Sequence, residues 1–256
     1  MKLFPLRKLK KTTETPAVSA NLRYRGVVKT LLRYYTHDQA MKLAVGGEFE
    51  ALGKLEVATL KHYGLADGAY LIDVGCGSGR LAQPLSQCFE GEYLGIDIEP
   101  RLVKFARQHV QPKGWRFEVT QGFGIPERDG TADMVCFFSV FTHLLHEQTY
   151  VYLREAKRVL KPGGKIIFSF LDFTLPLHWD LFESATVDVH TERQQLTVFI
   201  SKDAISAWAD HLGLKIEIIH DGDQSNIPLQ KPVVFDSGAV MKDLGTVGQS
   251  LCVMST

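Results

Sequence analysis

Charge of one sign is missing from this 256-residue chain. Lys plus Arg and Asp plus Glu stand at 29 each, so no overall field marks a nucleic-acid partner. Paired cysteines are missing too. Cys76, Cys88, Cys136 and Cys252 show neither zinc-site spacing nor a disulfide framework, and a reducing cytoplasm is the expected setting. No apolar run approaches the roughly 18 residues of a membrane span. The start carries no apolar secretory core, and no internal repeat is visible. What is there is the balance of an ordinary globular protein, 45% apolar and 23% charged, long enough for one large domain with a short appendage.

The stretch around which the rest is arranged is Tyr70-Leu71-Ile72-Asp73-Val74, followed by Gly75-Cys76-Gly77-Ser78-Gly79-Arg80-Leu81. An apolar run broken only by Asp73 and ending in alternating glycines predicts a buried strand turning sharply into a helix. That is the first βα turn of a doubly wound sheet. Glycines let the chain bend and let a ligand come close. A dinucleotide fingerprint wants its third glycine where Arg80 stands, and Asp73 would repel a pyrophosphate. A carboxylate there suits a ligand that presents a cation. S-adenosylmethionine (SAM), with its ammonium and sulfonium, is such a ligand.

The stretch closely resembles motif I of the class I SAM-dependent methyltransferases, and further segments follow in that family's order. Tyr93-Leu94-Gly95-Ile96-Asp97 reads as the second strand and ends in an acid 22 residues after Gly75. One carboxylate there can accept from both hydroxyls of a ribose; capping the helix that Pro100 opens is the plainer reading. Arg116 to Gln121 reads as the third strand. The acid that commonly holds the adenine amino group in this family is absent from the following Gly122-Phe123-Gly124-Ile125-Pro126. Gln121, backbone near Gly122 or stacking by Phe123 would replace it, and Phe123 suits the core equally well. Asp129 to Asp133 resembles the family's "DGSFD" turn and leads into the apolar strand Met134 to Phe138. Ser139-Val140-Phe141-Thr142-His143-Leu144 is similar to the "SVFTHL" segment of many bacterial members. "RVLKPGG" at 158–164 before the strand Lys165 to Phe170 is another hallmark.

The resemblance covers about residues 45–256. It implies an α/β fold: a Rossmann-like, doubly wound, seven-stranded sheet, mostly parallel with an antiparallel last strand and helices on both faces. It implies SAM as cofactor and S-adenosylhomocysteine (SAH) as product. Asp73, Gly75, Cys76, Gly77 and Arg80 are then the candidates for the methionine part, Asp97 and Ile98 for the ribose, and Gly122 and Phe123 for the adenine. Phe138 and Ser139 would border the sulfonium. His143 is the candidate general base, with a structural histidine as the alternative. With His146 it stands at i, i+3, but a third metal ligand at recognisable spacing is lacking, so no metal is expected. The rival functions are a module that binds SAM or SAH without turnover and a nicotinamide-dependent oxidoreductase, the latter opposed by Asp73 and Arg80.

The remaining chain is divided accordingly. Residues 1–45 form a basic tail and helical extension; 46–256 form the methyltransferase-like domain. In the tail, Lys2, Arg7, Lys8, Lys10 and Lys11 interleave with Leu3, Phe4, Leu6 and Leu9. This composition fits either a weak peripheral membrane contact or a frayed terminus. Helices are expected over 26–45, 48–63, 78–88, 148–160 and 201–212, the last capped by Ser201 and Gly213 with Trp208 in the core. Two insertions, 171–200 and 221–249, are expected on the acceptor side. Asp172, His178, Trp179, Asp180 and His190 are the polar and aromatic groups of the first, and Asp236 lies in the second. The acceptor is expected to be a small molecule.

Overall fold

The computed structural model describes residues 26–46, 48–110, 112–187 and 196–256. The basic tail and His190 lie outside these residues. The strands are β1 Tyr70–Val74, β2 Glu92–Asp97, β3 Arg116–Val119, β4 Ala132–Phe137, β5 Leu160–Phe170, β6 Lys215–His220, β7 Ile227–Pro228, β8 Val233–Val234, β9 Val240–Met241, β10 Leu244–Gly245 and β11 Ser250–Ser255. Seven of them form one sheet in the order β3-β2-β1-β4-β5-β11-β6. β3 through β5 pair in parallel, while β11 runs antiparallel to both β5 and β6. This is the expected architecture, with the last strand inserted between the fifth and the sixth.

The helices are α1 at 26–34, α2 His37–Leu43, α3 Phe49–His62, α4 Ala82–Leu85, α5 Pro100–His109, α6 His146–Val159, α7 Pro176–Val187 and α8 Lys202–Leu212. Alternation along each strand sends side chains to opposite faces. Leu71, Tyr93, Cys136, Ile167 and Val253 pack with Leu60, Leu85 and Val103 of α3, α4 and α5. Ile72, Leu94, Phe137, Phe168 and Cys252 pack with Leu153, Ala156 and Ile205 of α6 and α8. Both faces are covered, which is why these strands read as continuous apolar runs rather than alternating ones.

Several expected elements differ in extent. The helix expected over 26–45 is two: Thr36 breaks it, its Oγ accepting from the Gln39 amide while the Gln39 side chain reaches back to the Thr36 amide. Both pieces belong to the folded body, since Val28, Ala40, Met41 and Ala44 pack on Leu102 and Phe105 of α5. The helix expected over 78–88 shrinks to α4, and within its first turn Gly79 keeps a positive φ of 89° that a helix excludes. Lys161–Gly164 lies within β5 rather than before it, as an irregularity in the pairing with β4 between Ala132 and Met134. The stretch 221–249 is not a plain loop. β7 pairs with β10 and β8 with β9, and Val233, Leu229 and Phe235 close on Ala51 and Leu55 of α3.

Two hallmark residues act as struts. Asp133 accepts from the Tyr70 amide at 2.8 Å and from Lys161 at 2.8 Å with each oxygen. Arg158 binds Glu155, Asp129 and the carbonyls of Ile125 and Glu127, fixing the 125–129 loop to α6.

Candidate active site

The carboxyl ends of the parallel strands bring the glycine turn and the loop after β2 together. Amides of Gly75 and Cys76 both donate to Ile96 O, at 2.8 and 3.0 Å, and the Gly77 amide donates to Asp97 Oδ2 at 3.0 Å. Asp97 Oδ1 accepts from the Glu99 amide at 2.8 Å. The cap of α5 is Glu99, whose side chain takes the Arg101 amide, so Asp97 ties two loops together instead. Burial pushes the Asp97 carboxyl up to about 6, against the opposing effect of the amides of Glu99, Gly77 and Ile98. Ile98 itself is half-buried beside it. The turn has no room to spare on its inner side. A Cβ on Gly75 would stand 2.4 Å from Val140, and one on Gly77 2.4 Å from Val45.

Beneath the turn lies a group of buried polar side chains. Asp73 is 3% exposed and accepts from Tyr93 Oη at 2.6 Å; the Cys136 thiol approaches its other oxygen at 3.7 Å. Burial pushes its carboxyl up to about 7, with the Tyr93 hydrogen bond opposing. Its hydrogen-bond partners are neutral, so a cation nearby would stabilise the charged form. Arg80 is committed to the protein. It donates to Glu56 Oε1 at 2.6 Å in a buried ion pair and to Val45 O at 2.6 Å, bracing the turn against α3 and the chain before it. Desolvation raises the Glu56 carboxyl, against the pull of Arg80. Cys76 is buried, and burial pushes its thiol well up.

On the far side of β2, Gly122 takes φ of 87° with open space where a Cβ would be. Phe123 meets Tyr152 edge-on at 5.4 Å and packs, half-buried, on the core. Tyr152 donates to Gly122 O at 3.3 Å.

At the end of β4, Phe138 is buried and Ser139 has φ of 58°, a left-handed conformation uncommon outside glycine. His143 Nδ1 donates to Leu196 O at 2.6 Å, and burial lowers its pKa. His146 Nε2 donates to Phe199 O at 3.0 Å. The two histidines thus hold one returning segment, 196–199, which the Val198 amide reinforces by donating to Thr142 O. Among the described residues, no group of three or more His, Cys, Asp or Glu is disposed to hold a metal. From the first insertion, Asp172 is buried against Lys202, and His178 accepts from the Asp172 amide while donating to Gly248 O. Trp179 and Asp180 are exposed on α7, as is Asp236 after β8, whose amide donates to Glu48.

A sequence reading misses Glu56, Tyr93, Ser169 and Gln249. Glu56 did leave a trace, since it sits four residues from both Leu52 and Leu60 on the apolar stripe of α3. For Gln249 no local pattern exists.

The sequence model of the family described as "Methyltransferase domain" matches residues 72–168, from β1 through β5. Over this span the chain is similar to that methyltransferase family. A ubiquinone biosynthesis O-methyltransferase of Xanthomonas euvesicatoria is 29% identical over 161 residues, covering 59% of this chain and 64% of that protein. The match thus spans less than two thirds of the relative's length. A SAM-dependent methyltransferase of Thermotoga maritima shares the fold, with a TM-score of 0.57 at 18% identity, over 93% of this chain and 99% of that one. So does the magnesium protoporphyrin IX methyltransferase of Synechocystis, solved with SAH, with a TM-score of 0.58 at 17% identity over 84% and 86%. The matched span holds Asp73, the glycine turn, Asp97, Phe138, Ser139 and His143. It stops short of α7, the 221–249 ladders and Gln249.

Proposed function

We propose that the protein transfers a methyl group from SAM, by in-line displacement with SAH leaving, to an oxygen of a small molecule whose hydroxyl proton is lost to solvent. The observation that carries this reading is the junction of the two loops, where Asp97 accepts one amide on each oxygen, from Gly77 and Glu99. A carboxylate offers about four lone-pair sites, so capacity is left for a ribose hydroxyl even with the Ile98 amide close by. Asp73, buried with neutral partners under the same turn, supports a cationic ligand there. SAM supplies a methyl group already activated on a sulfonium.

The protein's own residues then bind, orient and exclude water. Asp97 and Ile98 hold the ribose; Gly75, Cys76 and Gly77 line the methionine part above Asp73. Arg80 acts at one remove by bracing the turn. Gly122 and Phe123 flank the adenine, and Phe138 and Ser139 border the transfer point. Rate comes chiefly from holding an acceptor in line with the methyl–sulfur bond. We read His143 as a latch on the 196–199 segment, because it and His146 make parallel bonds to Leu196 O and Phe199 O.

The oxygen acceptor rests on the name of the Xanthomonas relative. Residues 46–256 are assigned as the methyltransferase unit, with 171–200 and 221–249 on the acceptor side and 1–45 as its extension. Balanced charge and four free cysteines support a cytoplasmic protein without a nucleic-acid partner; a weak membrane contact is assigned to the basic tail. No described helix is long and apolar enough to cross a membrane. Calorimetric titration with SAH and with NADH tests the reading. Micromolar SAH binding is expected; NADH binding without SAH binding overturns it.

A further inference from the structure

The ends of β4, β5 and β11 are joined by a closed ring of hydrogen bonds. The Ser139 amide donates to Ser169 Oγ at 2.7 Å, the Ser169 hydroxyl donates to Gln249 Oε1 at 2.7 Å, and Gln249 Nε2 donates to Ser139 Oγ at 3.1 Å. Its corners are fixed from outside. The Ser139 carbonyl accepts from the Thr142 hydroxyl at 3.0 Å, so a residue in a left-handed conformation is clamped on both of its backbone polar groups. Such over-determined strain gathers where a side chain has to be aimed. Beside Gln249, the Gly248 carbonyl accepts from buried His178 at 3.0 Å.

The ring lies beside the glycine turn, because Val140, next in the chain after Ser139, is the residue that a Cβ on Gly75 would strike. In the sheet order, Asp73, the turn and Asp97 occupy the β2–β1 half, whereas the ring occupies β4, β5 and the start of β11. With the cofactor held over the first half, as proposed above, the second half is the side left for an acceptor in in-line attack.

The bonding within the ring decides what it offers. Ser169 is 2% exposed, its hydrogen given to Gln249 and a lone pair taken by Ser139. Hydroxyls at both positions accept either orientation of the amide; in the one present here Gln249 Oε1 faces Ser169 and one Nε2 hydrogen faces Ser139. Two donors remain: the second amide hydrogen of Gln249 and the hydroxyl hydrogen of Ser139, both on half-buried side chains. A lone pair on oxygen accepts them. An amine able to attack the methyl group is unprotonated and commits its single lone pair to the methyl carbon, leaving both donors unpaired.

We propose that Ser139 and Gln249 are acceptor-orienting residues that hydrogen-bond to an oxygen of the substrate, with Ser169 as the post that fixes their direction. This rests on the methyltransferase reading above. Gln249→Glu is the sharpest variant, since a carboxylate still accepts from both serine hydroxyls but has no hydrogen left to give. Ser139→Ala removes the other donor at unchanged backbone strain. The assay is transfer of radiolabelled methyl from SAM to 3,4-dihydroxybenzoate and to benzylamine, with SAH affinity and melting temperature measured alongside. The expected result is turnover of 3,4-dihydroxybenzoate, with its KM raised at least tenfold in each variant and SAH affinity within twofold. Unchanged KM in both variants overturns the proposal, as does preference of the wild-type protein for benzylamine. SAH affinity falling in step with turnover overturns it too, because the ring would then build the cofactor site. Wild-type protein that binds SAH but leaves 3,4-dihydroxybenzoate unmethylated removes the oxygen reading alone; absence of SAH binding removes the methyltransferase reading with it.

Discussion

Asp73 carries opposite consequences for binding and for stability. Its carboxyl rises to about 7 in the fold because burial penalises the charge. A raised carboxylate favours the folded state fully below the unfolded value near 4, and that contribution is lost as pH rises through about 7. The ligand-free protein is therefore expected to carry a strained charge at pH 8 that Asp73→Asn removes. The variant should melt higher at pH 8, by on the order of 1–2 kcal/mol or ~2–8 °C, with little difference at pH 5. Its SAH affinity should fall, and the wild-type rise in affinity between pH 5 and 8 should flatten. An equal melting difference at both pH values would remove Asp73 as the titrating group. His143 permits a second residue-level test. As a latch, His143→Ala should raise acceptor KM and leave the pH profile of kcat unchanged; loss of an acidic limb together with kcat would instead make it the base. The sequence shows which residue types stand after β4. It does not show that Nδ1 of His143 meets Leu196, fifty-three positions away.

At the scale of elements, α3 is the part whose role the sequence leaves most open. Its apolar spacing announces a covering helix, but the charge that fixes it to the turn sits on that same apolar stripe. Glu56 and Arg80 pair at 2.6 Å with 4% and 9% of their side chains exposed, and a Cβ on Gly53 would stand 2.3 Å from Arg80 O. Removing one member of a buried pair strands the other charge. Glu56→Ala is expected to cost about 3–5 kcal/mol, whereas Glu56→Leu combined with Arg80→Leu should recover most of it. Chemical denaturation of the wild type, Glu56→Ala, Glu56→Leu, Arg80→Leu and the double variant checks this, and simple additivity of the two Leu singles would show that the two charges are not coupled. The same comparison separates stability from binding. The apolar pair should fold well and bind SAH less tightly, because Arg80 no longer holds Val45 O against the turn.

The whole molecule explains which parts were legible. β1 to β5 with the glycine turn, Asp97 and Asp133 follow from local patterns, since each strand is apolar and each turn has its own residue chemistry. The 221–249 ladders and Gln249 do not, because two-residue strands have no periodicity and their contacts, with α3 and with Ser139 and Ser169, are distant in sequence. Those contacts make one connected path. The ladders close on Ala51 and Leu55 of α3, α3 holds Arg80 through Glu56, and Arg80 braces the glycine turn. A ligand that orders the turn should therefore tighten parts that it never touches. At SAH concentrations near a hundredfold over Kd, about 2.7 kcal/mol of linkage stabilisation is available, enough to raise Tm by several degrees. Hydrogen exchange read peptide by peptide shows where that free energy goes. Protection should extend through α3 into 227–245, while α8 and β6, on the opposite edge of the sheet, change only with global stability. If protection stops at the loops after β1 and β2, the ladders are a passive cover, and the Glu56–Arg80 pair carries stability without carrying the ligand's effect outward.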